Sequence, residues 1–118
     1  MPTFIALVTF TDQGAARVRD TRKRAATFRA GAQKSGVAVR DVYWTIGGYD
    51  GVLIFDAPDD ETATAAMLGL AAAGNARTQT LRAFDDADMA TILARAGGGT
   101  SAVGGRSSGG KSRSGRRR

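Results

Sequence analysis

One stretch limits what this chain can become. In Trp44-Thr45-Ile46-Gly47-Gly48-Tyr49-Asp50-Gly51-Val52-Leu53-Ile54-Phe55, β-branched and aromatic residues stand on both sides of a Gly-Gly-Tyr-Asp-Gly centre. Glycine and aspartate accept turn dihedrals that bulkier residues resist. The stretch therefore reads as strand, tight turn, strand. Its second arm is apolar throughout, the pattern of a strand covered on both faces.

The rest of the chain supplies partners for this hairpin. Residues 3–10 set Ile5 and Leu7 on one face against Phe4, Val8 and Phe10 on the other, a second central strand. Asp12 is placed to cap a helix. Residues 14–34 then carry Val18, Thr21, Ala25, Phe28 and Ala32 along one helical stripe, and Gly36 ends it. In the hairpin's first arm, Val37–Ile46, strict alternation puts Val37, Val39, Asp41, Tyr43 and Thr45 opposite Ala38, Arg40, Val42, Trp44 and Ile46. Pro58 stops the second arm, and the acids beside it favour the positive end of a helix. Ala63, Ala66, Met67 and Leu70 line that helix as far as Gly74. Residues 76–84 form the most polar strand, suited to an edge. Asp85 caps a short last helix whose inner residues are Met89, Ile92 and Leu93.

The order β-α-β-β-α-β plus a terminal helix is an α+β, ferredoxin-like arrangement with an antiparallel sheet. Right-handed crossovers put the first and third strands in the middle. Two helices cover one sheet face and leave the other bare, although both central strands are apolar on both sides. Such a patch marks an interface. The expectation is a homodimer or higher homo-oligomer with two sheets face to face and the terminal helix near the joint. Trp44 and the strand after Gly51 would form the wall between subunits.

Charge divides the chain at residue 96. Residues 1–96 hold eleven basic and eleven acidic side chains, so the net +6 belongs wholly to Arg106, Lys111, Arg113, Arg116, Arg117 and Arg118. Residues 97–118 are Gly, Ser and Arg with almost nothing to bury, and read as a disordered tail on a domain spanning 1–96. Those six cations would bind polyanions, nucleic acid included, weakly and with strong salt dependence. An inert solubilising extension is the plain alternative. No cysteine and no histidine occur. That excludes disulfides, thiolate zinc sites, a cysteine nucleophile and the commonest general base. No apolar run of about 18 residues and no signal-like segment is present, so a cytoplasmic protein without a membrane span is expected.

Three separated motifs carry a family resemblance. They are Tyr43-Trp44-Thr45-Ile46-Gly47-Gly48-Tyr49-Asp50, then Asp56-Ala57-Pro58-Asp59-Asp60-Glu61-Thr62-Ala63, then Gly74-Asn75-Ala76-Arg77-Thr78-Gln79-Thr80-Leu81-Arg82-Ala83-Phe84. In this order they resemble the GYD-domain family, named for Gly48-Tyr49-Asp50. The resemblance covers residues 2–95. It implies a small ferredoxin-like domain of the kind that pairs into dimeric α/β barrels. It implies no mechanism, and the basic tail lies outside it.

Candidate ligand-binding residues are Trp44, Tyr49, Asp50 and Arg77. Tyr49 and Asp50 would form a polar pair at a pocket mouth, or else serve the turn. Trp44 would stack on a ligand between sheets, or else pack as a core aromatic. Arg77 would bind a carboxylate, or else keep an edge strand soluble. The acids at 56–61 and 85–88 read as helix caps, with no metal or cofactor implied. Gly47–Gly51 leads into a strand and offers no helix N-terminus to a phosphate. The basic run from Arg17 to Lys34, opposed by Asp20 alone, is a phosphate contact or a solvated face that pairs with acids of the same or a neighbouring subunit. Together these features favour a non-catalytic small-ligand-binding or regulatory homo-oligomer. The alternatives are a cofactor-independent enzyme using Tyr49, Asp50 or Asp41, and a nucleic-acid-associated protein using its tail.

Overall fold

The chain is described by a computed structural model that gives the backbone of residues 1–103 and the side chains of residues 1–97. Four strands form one antiparallel sheet: β1 (Thr3–Phe10), β2 (Ala38–Trp44), β3 (Gly51–Asp56) and β4 (Ala76–Ala83). Their order is β2-β3-β1-β4, with every neighbouring pair antiparallel. The two strands that are apolar on both faces, β1 and β3, are the central ones, and the polar β4 is an edge.

One face of the sheet carries the core. Phe4, Ala6 and Val8 of β1 and Leu53 and Phe55 of β3 are buried there, beneath Ala32, Ala63 and Met67 from two helices. These helices are α2 (Thr21–Lys34) and α3 (Asp60–Ala72). The Phe4 and Phe55 rings stack with centroids 5.4 Å apart. Deleting a ring packed in this way costs about 3–5 kcal/mol. Arg82 lies over the Phe4 ring at 5.6 Å and covers that end of the core.

Local chemistry fixes the helix ends. Asp59 caps α3 by accepting the Thr62 N–H at 2.7 Å. Hydrogen bonds from Thr62, its hydroxyl first and its backbone N–H second, hold the Asp59 carboxyl below its ordinary value of 3.8. Gly36 ends α2 with φ 86°, while the N–H groups of Gly36 and Val37 return to Gln33 and Ala32. That is a Schellman cap, and glycine reaches this dihedral without a Cβ penalty.

Three details differ from the sequence pattern. First, the helix expected over 14–34 is divided into α1 (Asp12–Ala16), a 3-10 turn (Val18–Asp20) and α2. Thr11, not Asp12, caps α1 by accepting the Gly14 N–H. The reason is tertiary. The Thr11 N–H donates to Asn75 O, the Thr11 hydroxyl to Gly74 O, and Gln13 to Ala73 O and Asn75 Oδ1. A Cβ on Gly14 would stand 1.9 Å from Asn75 O. The first turn is thus pinned to the chain just before β4, and α2 starts as a separate helix after the 3-10 turn. Val18 leaves the expected stripe and is exposed.

Second, β2 does not alternate strictly. Val39 pairs with Phe55 and Asp41 with Ile54, so Arg40 is an extra residue, a β-bulge. The bulge puts Val39 and Val42 on the same core face, where strict alternation set them on opposite faces. Arg40 pairs with Asp56 at 3.3 Å, and the Asp56 carboxylate also accepts the Thr3 hydroxyl at 2.7 Å.

Third, the hairpin turn is not tight. Six residues, 45–50, join β2 to β3, closed by the Thr45 N–H to Asp50 O and by the Thr45 hydroxyl to Tyr49 O. Gly47 takes φ 116° within it.

A second compact unit begins at Phe84. Its helix α4 (Asp86–Val103) opens on a reciprocal cap: the Asp88 N–H donates to Asp85 Oδ1 and the Asp85 N–H to Asp88 Oδ2. α4 runs on past Ala96. Arg106, Lys111, Arg113, Arg116, Arg117 and Arg118 lie outside the described residues.

Candidate functional site

Strand pairing decides where each candidate residue sits. β1 runs two residues beyond β3, whose last partner in register is Gly51 opposite Val8. Asp50 takes over there. Its N–H donates to Val8 O at 2.8 Å and its Oδ2 accepts the Phe10 N–H at 2.8 Å. A carboxylate thus stands in for the missing strand residue and satisfies a backbone donor. Tyr49 turns to the opposite face, where its hydroxyl donates to Gln79 Oε1 at 2.8 Å. The Gly-Tyr-Asp tripeptide therefore fastens the hairpin to β1 through Asp50 and to β4 through Tyr49. The polar contacts of both residues are made within the sheet.

The four candidates do not converge. Trp44 pairs with Gly51 on the helix-bearing face, and its Nε1 donates to Thr21 Oγ1 at 2.9 Å. It is therefore not part of the wall on the bare sheet face that the sequence suggested. Arg77 lies opposite Thr9 and shares the bare face with Gln79 and Tyr49. Arg24, which the sequence marked only as one cation of the Arg17–Lys34 run, holds the corner near Trp44. It donates to Arg17 O at 2.6 Å and to Gly14 O at 3.3 Å, and lies 5.9 Å from the Phe10 ring centre.

Two features are available to partners. The bare face carries rows of side chains across the four strands. One row is Asp41, Ile54, Ile5 and Leu81; the next is Tyr43, Val52, Leu7 and Gln79. Ile5, Leu7, Val52 and Ile54 are half-buried, and Leu81 and Tyr43 are exposed. The second feature is a groove of about 1000 Å³ between α2 and α3. Gly31 and Ala32 of α2 face Ala65, Ala66 and Gly69 of α3, and residues this small do not fill the space. Val8, Phe10 and Leu53 floor it, and Trp44, Arg17 and Arg24 line one end.

Among the described residues no polar or charged side chain is fully buried. No group of three or more possible metal ligands occurs among them. None of the described helices is long and apolar enough to cross a membrane.

The family model described as GYD domain matches residues 4–93. The chain belongs to the GYD domain family. The match spans the whole sheet, α2, α3 and the start of α4. This GYD domain is also 39% identical over 94 residues to a protein of Thermus thermophilus named glutamine synthetase and cystathionine beta-lyase binding protein. The alignment covers 79% of this chain and 99% of that relative. No solved structure matches.

Proposed function

We propose that this GYD domain is a non-catalytic regulatory protein that acts in the cytoplasm by binding metabolic enzymes. The observation that carries the reading is the full-length relative whose name states that it binds glutamine synthetase and cystathionine beta-lyase. The geometry agrees with it. The polar atoms of the signature tripeptide support the sheet, and no ionisable side chain among the described residues is buried for acid–base work. By similarity, the first partners to test are glutamine synthetase and cystathionine beta-lyase of the same organism.

In this reading the protein is a homo-oligomer through its bare sheet face, and the groove between α2 and α3 takes a small effector. Apolar side chains on both faces of β1 and β3 support the first statement, since a half-buried apolar sheet face gains by being covered. The experiment is calorimetric titration of the purified protein into each enzyme, with a native mass spectrum of the protein alone. Saturable binding to at least one enzyme and a mass above the monomer are expected. A monomer that binds neither enzyme removes the reading.

A further inference from the structure

We infer that the corner where the β2–β3 hairpin meets the start of α2 is the surface that docks a protein partner with an acidic rim around an apolar pocket. This rests on the protein-binding reading above and assigns a surface to it. The Trp44 Nε1–Thr21 Oγ1 bond at 2.9 Å ties the hairpin to the first turn of α2. Trp44 nevertheless keeps 48% of its surface exposed. Two residues on, Ile46 is fully exposed at the hairpin tip, with glycines behind it. Val18 stands three residues before Thr21, one helical turn away, and is also 48% exposed. Tryptophan is enriched among the anchors that a protein partner desolvates, and Ile46 and Val18 extend the apolar surface beside it.

The rim is basic. Arg19, Arg22 and Lys23 are exposed and carry no ion pair among the described residues, where the one ion pair is Arg40–Asp56. Between Arg17 and Lys34 the only acid is Asp20. The acidic turns of the same chain therefore do not neutralise this face, and a partner of opposite sign is its complement. A nucleic acid would use the same cations and the exposed face of Trp44, but Ile46 and Val18 offer no stacking plane to a base. A protein surface satisfies both the cations and the anchors.

The test titrates the full chain into purified glutamine synthetase and cystathionine beta-lyase of the same organism, at low and at high salt. The variants are Ile46→Ser, the double variant Arg19→Glu/Arg22→Glu, and Lys34→Glu at the far end of α2 as a control. Among the described residues Ile46 and these cations make no side-chain hydrogen bond or ion pair, so the variants are expected to fold as the parent does, and circular dichroism checks this. Ile46→Ser is expected to weaken binding about tenfold or more, as loss of an anchor does. The double reversal should weaken it as much at low salt and flatten its salt dependence. Lys34→Glu should stay within about twofold of the parent, its charge lying away from the contact. If the parent binds and the corner variants bind equally well, the surface is wrong while the partner reading stands. If Lys34→Glu weakens binding as much as the double reversal, the contact is diffuse charge and the surface is wrong. If the parent binds neither enzyme, the partner reading falls and this surface with it. A 20-nucleotide RNA serves as the polyanion control. Tight binding that the double reversal abolishes and Ile46→Ser leaves intact would make this corner a phosphate surface and overturn the inference.

Discussion

At the scale of single residues, Asp50 carries the most information. Its carboxylate accepts the Phe10 N–H at the point where β1 outruns β3. Removing that acceptor leaves a part-buried backbone donor unpaired, which costs about 1–3 kcal/mol. Asp50→Ala is therefore expected to lower stability by that amount in urea denaturation, and Asp50→Asn by less, because its amide oxygen still accepts. Equal losses for the two variants would mean that the charge, rather than the acceptor, matters. Tyr49 works in the same sense on the other face, through Gln79. The family signature in this chain is thus first a fastening of the hairpin.

At the scale of elements, the bulge at Arg40 decides which way β2 faces. Val39 and Val42 both reach the core only because one residue between them is skipped. Deleting Arg40 should remove the bulge and leave Val39, Asp41 and Val42 in strict alternation, with both valines still on the core face. The expected loss is therefore that of an ordinary substitution, within about 3 kcal/mol, and not that of a strand turned over. Arg40→Ala keeps the bulge and loses a solvent-exposed ion pair with Asp56 and a long hydrogen bond to the Thr3 hydroxyl, so it should cost under about 1 kcal/mol. Urea denaturation of the two variants compares them directly. If deletion instead costs more than about 4 kcal/mol, Arg40 is not the residue that is skipped and this account of the bulge fails.

At the scale of the whole molecule, the question is what covers the bare sheet face. Leu7 lies in its middle, between Val52 and Gln79. In the oligomer reading, Leu7→Lys places a charge where two sheets meet, and burying an unpaired charge costs several kcal/mol. Light scattering after gel filtration should then give the monomer mass for the variant and a multiple of it for the parent. A parent that already runs as a monomer would leave this face to another partner. The same face in a monomer would stay half-buried and apolar, an unusual surface for a soluble chain.

Much of the fold was legible along the chain, because local chemistry specifies it. Two strands apolar on both faces had to be central, a polar one had to be an edge, and Gly36, Gly74, Asp59 and Asp85 marked helix ends through dihedrals and capping alone. The Gly-Tyr-Asp tripeptide was legible too, as a turn and as a family signature. Its task was not, since the partners of Asp50 and Tyr49 are Phe10 and Gln79, forty and thirty residues away. The break at Val18 was hidden for the same reason: helical periodicity continues through it, and only the anchoring of Thr11 and Gly14 on Asn75 interrupts the helix. The bulge at Arg40 carries no local mark either, because β3 and the core choose which residue is skipped. The sequence by itself determined the elements and their order, since these follow from propensity, period and caps. Only the tertiary structure decided which face each side chain serves, because one inserted residue or one distant acceptor reverses it.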